Sequence, residues 1–502
     1  MSNLPVGWAA ASIGELVTLN PKNEVDDGTL VGFVPMSRLG VDFQSPVTYE
    51  PRLWSGVKRG YTHFADGDVL LAKITPCFEN GKAGLVRDLP NGLGAGSTEY
   101  HVSRPKLGCL EARYLLAFFK TEHFVKEGAL QMTGSVGQKR VPKAYLLETG
   151  MPLAPLSEQT RIADKLDAVL ARVNTCRGRL DRVPGILKRF RQSVLAAATS
   201  GKLTEDWRAE QVARMQPQAE SGNVAHDAAE LCYHVISPLK RATASDEVIQ
   251  RLEERRHSTP STRKFKEPVA PDMTQWKTDI PDGWSVESIS AYADCLDYMR
   301  VPVTKGNRAS TQGLYPYYGA NGQVDSVDEF LFDDELVLVN EDETFYGREK
   351  PIAYRTSGRC WVNNHAHVLL AGNVPRADYL CFALMYYDVL PWLTGTTGRA
   401  KLTQGVLNAL PIAVPPQIEI EEIVRRVESL FAYADRLEAH YKTARAKVEK
   451  LTPALLAKAF RGELVPQDPN DEPAAVLLAR IRAGRGDQSA HKPKRGRKAV
   501  TV

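Results

Sequence analysis

The chain has 502 residues, 43% hydrophobic and 25% charged, which excludes wholesale disorder and calls for roughly two to four domains. Its seven cysteines are scattered with no CxxC pair, which excludes a disulfide scaffold and a structural zinc module and fits a reducing cytoplasm. The formal charge of +4 is no DNA-binding signature: the last 22 residues contribute +6 through seven Lys or Arg against Asp487, leaving −2 elsewhere.

The opening, MSNLPVGWAAASIGEL, lacks the basic and apolar regions of a signal peptide, and no apolar run approaches the ~18 residues of a membrane span. In the first globular unit, LVGFVP, DGDVLLAKI and LGAGSTEYHVS read as strands between Gly, Pro, Asp and Asn turns. EARYLLAFFKTEHFVKEGAL (111–130) reads as a helix. From Ser157 to Gly201 apolar residues recur every three or four positions: Leu166, Leu170, Val173, Cys176, Leu180, Val183, Leu187, Phe190 and Val194. Ser157 is positioned to cap this helix, and Pro184 predicts a kink or short break. Residues 209–272 form a connector that ends in an extended basic stretch. Beyond it, ELVLVNED, PIAYRTSG and CWVNNHAHVLL read as strands and ADYLCFALMYYDVLPWL as a helix. A second seam follows, with Val427, Phe431, Leu437, Val448 and Leu451, and Pro453 predicts another interruption near its end.

The chain repeats itself. MTGSVGQKRVPKAYL (132–146) aligns with LTGTTGRAKLTQGVL (393–407) at an offset of 261, and the offset holds through Gly201 and Gly462. LPVGW at 4–8 echoes IPDGW at 280–284 at an offset of 276. The predicted fold class is α+β: two mixed α/β domains separated by long helices that form an antiparallel intramolecular coiled coil, a pseudo-twofold repeat. The boundaries are 1–150, 151–208 (helical), 209–272 (connector), 273–409, 410–470 (helical) and a 471–502 helical and basic tail.

With these features in place, the chain resembles the specificity subunit of type I restriction-modification systems. The resemblance rests on the paired LPxGW-like openings, the TGxxG elements, FADGDVLLAKITPCFENGKAG (64–84) with GSTEYHVSRP (96–105), SEQTRIADKLDAVL (157–170), KRFRQSVLAAATSGKL (188–203) and FKEPVAPD (265–272). PPQIEIEEI (415–423) departs from the usual PLxEQ turn. The resemblance implies a cytoplasmic, non-catalytic chain in which each recognition domain reads one half of a bipartite double-stranded DNA target. It implies docking of two adenine methyltransferase subunits and of motor-nuclease subunits. Those partners would use S-adenosylmethionine, ATP and Mg2+; this chain would bind no cofactor. A fused restriction-modification enzyme or nuclease is the main alternative, and the sequence carries no GxxxxGK[ST] loop or methyltransferase tetrapeptide to support it. A coiled-coil adaptor without sequence selectivity is the other.

Base reading needs donors and acceptors at base edges, and positioning needs cations at phosphates. In the first half these are Lys73, Asn80, Lys82, Ser97, Thr98 and Glu99, with Asn80 suited to adenine, Lys73 or Lys82 to guanine or phosphate, and Glu99 to cytosine. The plainer alternative makes Asn80 a turn residue and Ser97 and Thr98 backbone partners. Gly134, Gly137, Lys139 and Arg140, with Gly395, Gly398, Arg399 and Lys401, are candidates for shared DNA-backbone contact. Tyr317, Tyr318, Asn321, Asn340, Glu341, Asn363 and Asn364 are the candidates of the second half. His365 and His367 fall on one strand face by alternation, but no further ligand spacing makes a metal site, so none is expected.

Overall fold

The computed structural model describes residues 4–106, 108–215, 244–258, 266–303, 313–341, 345–346, 348–393 and 401–490. They belong to two compact units, one drawn from Met1–Arg182 with Tyr441–Val502, the other from Val183–His440.

The first unit holds strands β1 (Ala9–Ser12), β2 (Val17–Leu19), β3 (Leu30–Val34), β4 (Glu50–Leu53), β5 (Thr62–Ala65), β6 (Val69–Ala72), β7 (Ala83–Leu85), β8 (Leu93–Gly96), β9 (Tyr100–Pro105) and β10 (Gly150–Leu153). β1 pairs with β10, and the other strands form two four-stranded sheets, β2-β9-β6-β7 and β4-β3-β8-β5. β6 lies inside its sheet and buries all four residues, which is why VLLA shows no alternation. LGAGSTEYHVS is one strand-like segment in sequence but two strands here, β8 and β9, in different sheets. The Ser97 hydroxyl accepts from the Glu99 N–H at 3.2 Å and turns the chain between them.

The predicted 111–130 helix is likewise two, Ala112–Phe119 and Glu122–Leu130. Thr121 adopts an extended backbone, and its hydroxyl accepts from Phe124 N (3.4 Å) as the cap of the second helix.

The second unit contains β11 (Ser285–Ser288), β12 (Asp294–Cys295), β13 (Tyr315–Gly319), β14 (Gly322–Val327), β15 (Phe332–Asp333), β16 (Leu336–Asn340), β17 (Ala353–Thr356), β18 (Arg359–Val362), β19 (Ala366–Leu370) and β20 (Pro411–Val414). Its sheets run β12-β19-β16-β17 and β14-β13-β18-β15, the strand order of the first unit again. The outer ladders agree in register: Ala9 faces Leu153, and Ser285 faces Val414. CWVNNHAHVLL is split between β18 and β19, as its counterpart is split in the first unit. Two globular units with little sequence in common share one topology.

The helices carry the repeat and two corrections. Leu156–Leu180 starts two residues too early for Ser157 to cap it: Pro155 takes the cap position, and the Ser157 hydroxyl donates to Asp471 Oδ1 at 2.5 Å. The break expected at Pro184 is present, since the next helix begins at Val183 and Pro184 sits in its first turn, where a missing N–H is tolerated. Pro453 causes no such break. Gln417–Phe460 continues through it, with Leu456 and Ala459 buried on the far side.

Within the first unit, Arg177 meets Glu449 (3.6 Å) and Asp181 meets Arg445 (2.6 Å), so these helical segments run antiparallel. Within the second, Arg191 meets Asp435 (2.6 Å) and Glu438 (2.9 Å), and Asp206 meets Arg426 (2.6 Å), in the same sense. Such exposed pairs contribute at most about 1 kcal/mol each and report register more than stability. Apolar burial contributes more: Leu166, Leu170, Val173, Leu187 and Val427 are buried, Leu180, Phe431 and Val448 are half-buried, and Leu437 and Leu451 are exposed.

Each helical segment closes on an opening motif. Gly201 (φ 75°) and Gly462 (φ 74°) leave the helices left-handed, and a Cβ there would lie 2.3 Å from Pro281 or 2.5 Å from Pro5. Trp8 and Trp284 each donate a 2.9 Å indole hydrogen bond, to Glu158 and Glu419. Ala474 N donates to Gly7 O, and Ala244 N to Gly283 O, so helices Ala474–Ala490 and Ala244–Ser258 cover equivalent places. No helix among the described residues is long and apolar enough to cross a membrane.

Candidate nucleic-acid interface

Three turns converge at one end of β6 and β9: residues 75–81, residues 97–99 and the TGSVGQKR loop. Thr133 and Arg140 exchange backbone hydrogen bonds and close that loop, in which Gly134 (φ 124°) and Gly137 (φ 78°) take positive φ. It is clamped to the sheet by Val141 N on Lys73 O (2.8 Å) and Thr75 N on Lys139 O (3.0 Å), while Lys73 N donates to Glu99 O (2.9 Å). Residues 133–139, Asn80 and Thr98 are exposed; Lys73, Ser97, Glu99 and Arg140 are half-buried.

Arg140 grips Glu99 through two oxygens, Nη2 to Oε1 at 2.8 Å and Nε to Oε2 at 3.0 Å, and that hydrogen bonding holds the Glu99 carboxyl below its ordinary pKa. Glu99 and Arg140 are therefore a pre-formed ion pair beside the loop. Lys82 donates to the Met36 carbonyl at 3.1 Å. The exposed cation of this cluster is Lys139.

The second unit repeats the clamp. Leu402 N donates to Glu341 O (2.9 Å), and Glu341 N donates to His365 O (3.1 Å). Glu341 is paired with Arg300 at 2.7 Å. Lys401 is exposed; Gly395, Gly398 and Arg399 lie outside the described residues. Tyr317, Asn340 and Asn363 are buried and Tyr318 is half-buried, while Asn321 and Asn364 are exposed. Asn321 Oδ1 accepts from Arg348 (2.6 Å), and Asn363 Oδ1 from His365 N (2.8 Å). Asn321, Asn364 and Lys401 are the candidates of this unit that lie at the surface.

Sequence reasoning passed over His101 and grouped its counterpart, His367, with His365 on one strand face. His101 Nε2 faces the Val141 carbonyl (3.0 Å), and His367 Nε2 faces the Leu402 carbonyl (2.6 Å), both on the residue that follows TGSVGQKR or TGTTGRAK in sequence. Burial lowers the His101 pKa. A single signal could have found both: YHV and AHV occupy matching places, one strand before the repeat. His365 precedes β19 in an exposed turn, so alternation within the strand does not apply to it.

Cys295, Asp297 and His367 bring ligand atoms within 4.8 Å of one another. Both His367 nitrogens are engaged, Nδ1 with Asp297 Oδ2 at 2.5 Å and Nε2 with Leu402, and Asp297 Oδ1 accepts from Val368 N. A cation would have to displace these hydrogen bonds, and the donor set reads as a structural lock on the loop.

The family model described as the type I restriction modification DNA specificity domain matches residues 5–184 and 291–445, more than half of the chain. The Escherichia coli type I restriction enzyme EcoEI specificity subunit is 27% identical over 495 residues, covering 90% of this chain and 82% of the relative. The EcoAI specificity subunit of Escherichia coli is 46% identical over 160 residues, 32% of this chain and 27% of the relative. The HsdS subunit from Thermoanaerobacter tengcongensis shares the fold at a TM-score of 0.54 and 17% identity, over 92% of this chain and 98% of that one. The paired recognition units, the repeated clamp and these matches agree: the chain belongs to the type I restriction-modification DNA specificity family, whose members are non-catalytic DNA-recognition subunits.

Proposed function

We propose that this chain reads a bipartite double-stranded DNA target, one half with each recognition unit, and docks two copies of an adenine methyltransferase together with motor-nuclease subunits. The observation that carries this reading is the duplication of one two-sheet topology, each copy with equivalent backbone bonds just after its TGxxG sequence and differing in its turns. Like frames suit identical partners, and unlike turns suit two different half-sites. The chain contributes recognition alone; S-adenosylmethionine, ATP and Mg2+ serve the partners, and the assembly works in the cytoplasm. The helical segments act as an antiparallel intramolecular coiled coil with pseudo-twofold symmetry, a reading supported by the antiparallel ion pairs inside each unit. Native mass measurement of the co-purified complex tests the docking claim. Two methyltransferase copies per chain are expected, and saturation at one copy contradicts it.

A further inference from the structure

Lys120 follows the helix Ala112–Phe119, and its ammonium reaches three backbone carbonyls: Gly81 (2.7 Å), Val41 (2.8 Å) and Gly40 (3.4 Å). These use all three donors of the group. Among the described residues no backbone N–H reaches the Val41 or Gly81 carbonyl, so the lysine is what joins them. The two carbonyls belong to segments with different attachments. Gly81 ends the turn that exposes Asn80, and Lys82 beside it donates to Met36. The 40–44 segment is fixed on the helix Leu156–Leu180: Gln44 Nε2 donates to Asp167 O (2.7 Å), Asn174 donates to Gln44 Oε1 (3.3 Å), and Asp42 lies 3.5 Å from Arg177.

We propose that Lys120 is a positioning residue for the half-site read by the first unit, tying the Asn80 turn to a segment braced on the helix and so fixing where that turn meets the base edges. The inference rests on the bipartite-reading function above. It is specific to one half: in the second unit the helix Val374–Met385 meets the corresponding strand entry by a backbone bond, Ile352 N to Met385 O at 2.9 Å, which no side-chain change removes.

The test uses the full chain with its methyltransferase partner, and methylated adenines are mapped on a randomised duplex library. Lys120→Met keeps most of the aliphatic stem and removes the donors; discrimination at one or more base pairs of one half-site should fall by about tenfold, with the other half-site unchanged. Lys120→Arg should restore most of it. Hydrogen exchange on the free chain gives a second readout: amides of 76–82 should exchange faster in Lys120→Met while those of the Leu156–Leu180 helix do not. Unchanged discrimination, or equal relaxation of both half-sites, in a variant with wild-type thermal stability overturns the proposal alone. A wild-type chain that directs no bipartite methylation overturns the functional reading and the specificity role of Lys120 with it.

Discussion

Lys139→Ala isolates one charge at the TGxxG loop without loosening the loop itself. The side chain is exposed, while its own carbonyl is held by the Thr75 N–H (3.0 Å) and hydroxyl (3.2 Å), and those bonds survive truncation. Losing one phosphate contact lowers the slope of log affinity against log salt by about 0.9. Between about 50 and 200 mM salt, the advantage of the wild-type chain over the variant should shrink by about 3.5-fold. Titrations against target and unrelated duplexes at several salt concentrations measure this. The losses should be equal on the two DNAs, because a phosphate contact carries no sequence information. Parallel salt slopes, or a loss confined to one half-site, would refute the assignment.

Removal of residues 471–502 should destabilise the first unit. It takes away the Asp471–Arg161 pair (2.7 Å) and buried Ala474, Leu477 and Leu478, and the two leucines alone are worth about 3–6 kcal/mol of apolar burial. A thermal unfolding transition unchanged by the truncation would contradict this. His101 makes a pH prediction. Burial lowers its pKa below 6.5, so its contribution to stability is complete above that value and is lost as pH falls toward the folded-state pKa. Between about pH 7 and 5 the melting temperature of His101→Gln should fall less than that of the wild type, and identical falls would reject the role.

The repeat and the helical segments were legible because matched helices keep a constant offset and a three-four apolar spacing, features independent of distant contacts. Strands such as β6 were legible as short apolar runs between turns. The splitting of LGAGSTEYHVS and CWVNNHAHVLL between sheets was not, because local propensity carries no information about which sheet a strand joins. The single helix expected over 111–130 failed at Thr121, whose hydroxyl competes for backbone groups. The equivalence of Ala244–Ser258 and Ala474–Ala490 was hidden because they share a docking place, not a pattern. At the candidate site, Lys73, Asn80, Glu99, Lys139 and Arg140 stood out as polar groups near turns. That Glu99 and Arg140 bind each other depends on residues 41 positions apart meeting across a clamp. His101 was passed over for a plainer reason: a lone histidine in a mostly buried strand looks like core, and only the match of YHV with AHV marks it.

The most direct test of the central claim is an exchange of residues 1–150 for the corresponding domain of a relative, followed by mapping of methylated adenines in the assembled complex. Each unit contains its own pair of sheets and its own clamp, so one half of the bipartite target should change to the donor's while the other half is retained. A change in both halves, or in neither, in a correctly assembled complex would contradict the account.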